Sequence, residues 1–117
     1  MAQPKFIFLF VLVTFGSFMA VTSQNVWEPI RNLKDPTVVK IAGIAVLIHN
    51  RQAKTSLKLD FIVGGKIQYN HSQDPGTIFN RRYDLIIVAV DGKNIKKHYE
   101  VVITDKPLNL ESFDEVY

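Results

Sequence analysis

The stretch Asp35–Ala53 is the feature that most constrains the fold of this sequence. Asp35 can accept hydrogen bonds from the first helical turn, and Pro36 suits the first helical position because its missing N–H is not needed there. Small or apolar side chains then recur every three or four residues, which is the spacing of one buried helix face. These residues are Val38, Ile41, Ala42, Ala45, Ile48 and His49. The pattern predicts one helix, and its small residues would let a second layer approach closely.

The residues after this helix are predicted to form strands. The first strand shows the period-two alternation of a half-buried strand, with apolar side chains at Leu57, Leu59, Phe61 and Val63. Gly64–Gly65 permits a bulge or a bend in it. Asn70–Asn80 is rich in Asn, Ser, Asp, Pro and Gly, so it is predicted to be a loop that turns at Asp74–Pro75–Gly76.

The second half of the chain is predicted to supply the rest of a sheet. Tyr83–Val90 is apolar on both faces and is therefore expected at the centre. Asp91–Gly92 begins a hairpin turn, and Tyr99–Thr104 is its returning strand. Leu110 and Phe113 have the spacing to close the core from the C-terminal segment. The order of leader, helix and strands predicts an α+β fold, with one long helix packed across an antiparallel sheet of four to five strands.

The N-terminal residues have the character of a targeting segment. A single charge, Lys5, precedes the nearly unbroken apolar run Phe6–Phe15, and small residues follow. This arrangement is typical of a secretory signal peptide. A membrane anchor is the alternative, but the run is shorter than the roughly 20 apolar residues that a spanning helix needs. The expected assignment is residues 1–23 as the signal peptide and 24–117 as one secreted domain, with cleavage after Ala20 or Ser23.

The composition argues against several classes of function. The chain contains no Cys, which excludes disulfides, thiol catalysis and thiolate metal sites. His49, His71 and His98 fall on a predicted helix, loop and strand without the spacing of metal ligands. Cations are scattered along the chain, whereas a nucleic-acid-binding surface clusters them with aromatic residues. We therefore expect no enzyme, no metal or other cofactor, no nucleic-acid partner, and no membrane contact after signal cleavage.

The sequence also resembles a known family. Ile41–Asn50 reads Ile-Ala-Gly-Ile-Ala-Val-Leu-Ile-His-Asn, in the frame of the helix motif Leu-Ala-(Arg/Lys/Glu)-Phe-Ala-Val-x-x-His-Asn of plant-type cystatins. Further matches cover the rest of the mature chain: Trp27-x-Pro29-Ile30, Asp35-Pro36-x-Val38, Leu59-x-Phe61, Tyr83-x-Leu85, Asp91-Gly92, Tyr99-Glu100 and Leu110-x-x-Phe113. The chain is thus similar to the plant-type cystatins, which are secreted inhibitors of papain-like cysteine proteases, and the resemblance implies a cystatin-like fold.

The resemblance implies an inhibitory wedge and no catalytic groups. In this family a glycine-containing leader, a first hairpin with Gln-x-Val-x-Gly and a second hairpin with Pro-Trp enter the protease cleft. Preformed hairpins lose little entropy on docking, and an aromatic side chain such as Trp is a typical hot spot. Carried over by position, the protease-binding candidates are Asn25 and Val26 in the leader, Thr77, Ile78, Phe79 and Asn80 in the first hairpin, and Pro107 and Leu108 in the second.

All three parts depart from the family pattern. Gln24–Trp27 contains no glycine, Gln-x-Val-x-Gly is missing, and Leu108 follows Pro107 where the family has Trp. Two functions remain open. The first is a plant defence protein, extracellular or vacuolar, that inhibits papain-like proteases; the second is a cystatin-fold protein that has lost inhibition and serves as a binding or signalling module. Geometry separates them, because a wedge needs Thr77–Asn80 and Lys106–Leu108 side by side at one edge.

Two surface features complete the predictions. Asn70-His71-Ser72 is an acceptor sequence for N-glycosylation within the predicted loop, so Asn70 is a candidate glycosylation site. Leu47 and Ile48 cannot both face the core. Either the buried stripe is wide, or Leu47 joins Ile44 in an exposed apolar patch. We expect a monomer, with a dimer formed through that patch as the alternative.

Overall fold

The computed structural model describes residues 26–71 and 78–117 of the 117-residue chain, with Phe79 described by its backbone alone. The described part contains one helix and one five-stranded sheet. In chain order the elements are β1 (Trp27–Pro29), α1 (Pro36–Ala53), β2 (Lys58–His71), β3 (Ile78–Val90), β4 (Lys96–Asp105) and β5 (Leu108–Val116). The strands are antiparallel and lie in the order β1-β2-β3-β4-β5. The predicted α+β fold is confirmed.

Helix α1 begins and ends where the sequence indicates. The Asp35 carboxylate accepts a hydrogen bond from the backbone N–H of Thr37 at 2.8 Å, and Pro36 occupies the first turn. Lys54 takes a left-handed conformation with φ of 57°, and its N–H bonds to the carbonyl of Asn50. This geometry stops the helix, because a left-handed residue cannot continue it.

The Asn50 side chain joins the end of α1 to the start of β2. Its Nδ2 donates to the carbonyl of Leu57 at 2.9 Å, and its Oδ1 accepts from the N–H of Leu57 at 2.9 Å. The same Oδ1 accepts from the Thr55 hydroxyl at 2.8 Å. One side chain therefore satisfies both backbone groups of Leu57 at the point where the chain reverses.

The core lies between α1 and the sheet. Ala42 and Ala45 are fully buried, so the predicted close approach of the two layers occurs at these positions. Ile44 and Ile48 pack at the edge of the core, whereas Leu47 is 59% exposed. Except for its partly buried members Ile48 and His49, the predicted stripe is buried. The main core residues are Val38, Ile41, Ala42, Ala45 and Val46 from α1, Tyr83, Leu85, Ile87 and Ala89 from β3, and Val101 and Ile103 from β4.

The C-terminal strand closes the core as predicted. Leu110 and Phe113 of β5 pack against the buried cluster. The ring of Phe113 stacks on His49 with a centroid distance of 3.9 Å and an interplanar angle of 9°. His49 thus has the structural helix role expected for it, since its ring packs against the opposite layer. Strand β3 is central: Tyr83, Leu85, Ile87 and Ala89 bury its face towards the helix, and on its other face Val88 is buried and Ile86 is partly buried.

The predicted alternation along β2 is wrong after Leu59. The pairing with β3 shifts between Leu59 and Phe61 and again between Ile62 and Gly64. A β-bulge inserts one extra residue, so each later side chain changes face. Phe61 and Val63 are consequently 52% and 44% exposed, and Ile62 packs against the core in their place.

The loop predicted at Asn70–Asn80 is also shorter than expected. Strand β2 continues to His71 and β3 begins at Ile78, with Asn70 paired to Asn80. His71 is half-buried at the end of a strand, whereas exposure in a loop was expected. The predicted turn at Asp74–Gly76 lies outside the described residues, as does the predicted signal peptide.

Strand β1 covers only part of its neighbour. Trp27–Pro29 pairs with Lys66–Gln68, and the N–H of Ile30 adds one bond to the carbonyl of Gly65 at 3.0 Å. Within the described residues, the part of β2 from Lys58 to Gly64 is therefore an open edge of the sheet. We call this segment the β2 edge. Helix α1, the helix within the described ranges, is not apolar enough to cross a membrane.

Candidate functional site

The second hairpin, between β4 and β5, exposes two of the predicted site residues. Its turn is formed by Lys106 and Pro107, with Asp105 directly opposite Leu108. Pro107 is exposed, and Leu108 is 47% exposed although it is apolar. This turn therefore exposes an apolar tip that does not pack against the core.

The first hairpin lies directly beside this tip. The Asn80 side chain donates from Nδ2 to the carbonyl of Lys106 at 3.3 Å. One residue further on, Arg81 donates to the Asp105 carboxylate from its backbone N–H and from its Nε, each at 2.8 Å. The start of β3 is therefore joined to the end of β4 and to the first residue of the second turn. Ile78–Asn80 and Lys106–Leu108 share one edge of the sheet, and Thr77 lies outside the described residues.

The leader approaches the same edge. Because β1 is antiparallel to β2 and Trp27 pairs with Gln68, the chain before Trp27 runs towards the first hairpin. Val26 is 51% exposed there, and Asn25 lies outside the described residues. The predicted leader segment is thus directed to the edge at which the two hairpins meet.

Trp27 holds the leader in place by contacts of its ring with two cationic side chains of the sheet. The Lys66 Nζ lies 5.3 Å and the Arg82 Cζ lies 5.5 Å from the ring centroid, which is the range of cation–π attraction. Arg82 is itself held by Glu111, whose Oε1 lies 2.6 Å from its Nη2. The hydrogen bond to Glu111 raises the pKa of Arg82, so the guanidinium remains charged under the indole.

Together these segments form what we call the three-part edge: Val26 of the leader, Ile78–Asn80 of the first hairpin and Pro107–Leu108 of the second. Each part carries a large apolar side chain that is about half exposed: Val26, Ile78 and Leu108. Burying such side chains against a partner stabilises a complex at about 25 cal/mol per Å² of apolar surface. Such an edge can bind a cleft. Among the described residues no cluster of His, Asp or Glu has the geometry to hold a metal ion.

The predictions from sequence missed the residues that hold the edge together. Arg81 and Asp105 adjoin the candidate residues but carried no motif. Backbone pairing of β3 with β4 runs from the turn at Asp91 out to Arg82 and Thr104. Counting one step further along both strands places Arg81 opposite Asp105. The Asp91–Gly92 turn signal does not fix this register, because Val90 pairs with Lys96 across a loop longer than two residues.

Asn70 has a different setting from the one predicted. It lies in β2, and its Nδ2 donates to Oδ1 of Asn80 at 2.7 Å. Nδ2 is the atom that a glycan would occupy. The same Asn80 side chain bonds to Lys106, so Asn70, Asn80 and the second turn form one continuous chain of hydrogen bonds.

One helix packed on a five-stranded antiparallel sheet is a cystatin-like fold, and comparison with known proteins gives the family. The family model described as "SQAPI: Aspartic acid proteinase inhibitor" matches residues 30–116. Two curated plant relatives match most of the chain. The chain belongs to the cystatin family of cysteine proteinase inhibitors, which are not enzymes.

The two relatives have similar levels of identity. "Cysteine proteinase inhibitor 5" of Arabidopsis thaliana is 34% identical over 92 residues, which are 75% of this chain and 69% of that protein. "Cysteine proteinase inhibitor 1" of Actinidia chinensis var. chinensis is 36% identical over 94 residues, which are 77% of this chain and 73% of that protein. The identity spans the helix and the sheet, so the predicted resemblance to plant cystatins is confirmed.

Proposed function

We propose that this protein is secreted and inhibits papain-like cysteine proteases by inserting the three-part edge into the active-site cleft. The observation that carries the proposal is the position of Asn80 and Arg81 against Lys106 and Asp105. These contacts bring the two hairpins together, and Trp27 directs the leader to the same place. A cystatin scaffold put to another use would not need all three exposed apolar segments at one edge.

Inhibition by this edge is a matter of shape and apolar burial. The edge enters the cleft with its hairpins already formed, so little ordering entropy is lost on binding. It covers the catalytic Cys of the protease without offering it a peptide bond in a geometry that can be attacked. Leu108 buries less surface than an indole would, which costs about 1–3 kcal/mol of binding. Binding therefore depends more on the leader and on Ile78.

We propose that residues 1–23 are a signal peptide that directs the inhibitor into the secretory pathway. We propose an extracellular or vacuolar protein with a role in plant defence, monomeric in the free state. Val26 is the first described residue of the leader, and Gln24 would begin the mature chain after cleavage at Ser23. N-terminal sequencing of protein recovered from a plant or yeast secretory host tests this assignment, and an intact Met1 would contradict it.

A second candidate function is inhibition of aspartic proteinases. It is favoured by the description of the matching family model, "Aspartic acid proteinase inhibitor". It also agrees with the loss of Gln-x-Val-x-Gly and of the Trp after Pro107, because a different target removes the need for both. The loss of all inhibition, leaving a binding or signalling module, is the remaining alternative.

Titration of the secreted protein against papain and against pepsin distinguishes these functions. If the proposal is correct, the protein inhibits papain tightly. If the second candidate function is correct, it inhibits pepsin alone. If the protein is a binding or signalling module, it inhibits neither enzyme although it is folded and melts cooperatively. Leu108→Trp should tighten papain binding by about 5- to 150-fold, the equivalent of 1–3 kcal/mol. Leu47→Trp is the matched control, since Leu47 is an exposed leucine on the helix, away from the edge.

A further inference from the structure

The carboxylate of Asp105 takes the place of a backbone rung between β3 and β4. Regular pairing of these strands ends at Arg82 and Thr104. At the next position the N–H of Arg81 donates to Oδ1 of Asp105, and its Nε donates to Oδ2, both at 2.8 Å. The Asp105 side chain is 11% exposed and that of Arg81 is 39% exposed. A charge-assisted pair of bonds therefore connects the two strands where the backbone ladder stops.

Asn80 extends this connection to the turn itself. Its Oδ1 accepts from Asn70 of β2 at 2.7 Å, while its Nδ2 donates to the carbonyl of Lys106 at 3.3 Å. The Asn80 side chain thus links β2 and β3 to the turn between β4 and β5. A glycine has no side chain, so it could not make either bond.

We propose that Asp105, Arg81 and Asn80 are positioning residues that lock the second hairpin against the first and so preassemble the inhibitory edge. This inference rests on the proposed function. The lock matters here because Leu108 offers less surface than Trp, so the complex depends on losing little entropy as the hairpin docks. Its effect should appear as binding strength, and as order of the turn in the free protein.

The competing interpretation is that Arg81 and Asp105 form a structural ion pair that does not influence the three-part edge. A second ion pair in the chain can serve as the control. Lys96 of β4 and Asp60 of β2 also form an ion pair, with an N–O distance of 3.0 Å. Lys96 pairs with Val90 beside the β3–β4 turn, so this ion pair lies at the opposite end of β4 from Lys106. Asp60→Asn therefore removes an ion pair while leaving the second hairpin and the contacts of Trp27 in place.

The experiment compares Asp105→Asn, Asn80→Gly and Asp60→Asn in the full chain recovered from a secretory host. Asp105→Asn should weaken papain inhibition about tenfold, the loss expected for one charged hydrogen-bonded pair. Asp60→Asn removes an ion pair away from the edge, so inhibition should be unchanged. Asn80→Gly removes both hydrogen bonds of the Asn80 side chain and should weaken binding by about threefold.

Backbone ¹⁵N relaxation of Lys106 and Leu108 gives a readout that does not depend on any protease. Their order parameters should be near 0.85 in the unchanged protein and fall towards about 0.6 in Asp105→Asn, but not in Asp60→Asn. If the unchanged protein inhibits neither papain nor pepsin, the proposed function is wrong, and the relaxation data alone judge the lock. Unchanged order of the turn in Asp105→Asn overturns the lock. So does unchanged inhibition in Asp105→Asn, or an equal loss of inhibition in Asp60→Asn.

Discussion

Gly65 is the position at which one methyl group should have the largest effect on this fold. It lies in β2 opposite Leu85, and its carbonyl receives the N–H of Ile30 as the leader leaves the sheet. A Cβ built on Gly65 would lie 2.7 Å from Cδ2 of Leu85, 3.2 Å from the carbonyl oxygen of Asp84 and 3.4 Å from Cδ1 of Ile30. Gly65→Ala therefore forces neighbouring atoms to move.

The cost of this change follows from what surrounds the new methyl group. The Leu85 side chain is fully buried in the core and cannot turn into solvent, and the Asp84 oxygen belongs to the backbone of the central strand. Overpacking of this kind costs about 1–3 kcal/mol. For a domain of this size that corresponds to a fall of roughly 4–20 °C in melting temperature.

Gly64 supplies the matched control. A Cβ built on Gly64 meets nothing within 4 Å, although the residue is adjacent in the same strand. Gly64→Ala should leave stability unchanged or raise it by up to about 1 kcal/mol, because alanine reduces the entropy of the unfolded chain. Urea unfolding and thermal melting of both variants measure the difference. Equal stability of Gly65→Ala and Gly64→Ala would show that the close approach at Gly65 is not a real constraint.

Three further changes test other contacts. Asn50→Ala removes both bonds to the Leu57 backbone and should cost about 2–3 kcal/mol in urea unfolding; an unchanged midpoint would contradict that role. The hydrogen bond with Asp84 raises the pKa of Glu100 above its ordinary 4.5, so its stabilisation is complete below that pH and is lost as pH rises through the raised pKa. Glu100→Gln should flatten this dependence in urea unfolding from about pH 4 to about pH 7, and an unaltered profile would refute the assignment. Glycosidase treatment should leave gel mobility unchanged, because Nδ2 of Asn70 is already hydrogen-bonded; a shift would show that a glycan displaces that bond.

The helix and the central strand could be predicted because their signals are local. Asp35 and Pro36 mark the start of α1 by short-range hydrogen bonding and by proline's fixed backbone angle. The apolar residues of Tyr83–Val90 identify the central strand without knowledge of its neighbours. Each of these signals depends on residues that are close together in the sequence, so a single sequence is enough to find them.

The exposure of Phe61 and the lock at Asp105 could not be predicted in the same way. The bulge before Phe61 arises from pairing with β3, and nothing in the alternation of β2 marks the extra residue. The lock joins Arg81 to a residue 24 positions away, and it depends on a register that continues beyond the last backbone pair. Both features belong to pairs of strands, which is why reasoning along one strand missed them.

The shape of the β2 edge has a consequence for self-association. A flat, open strand edge is a template on which other chains can add strands, and proteins avoid this with bulges and charged residues. The β2 edge carries Lys58 at its start and register shifts on both sides of Ile62, so it is bent and twisted where a second chain would have to pair. The irregularities that moved Phe61 into solvent therefore also disfavour the addition of a strand from a second copy of the chain at this edge.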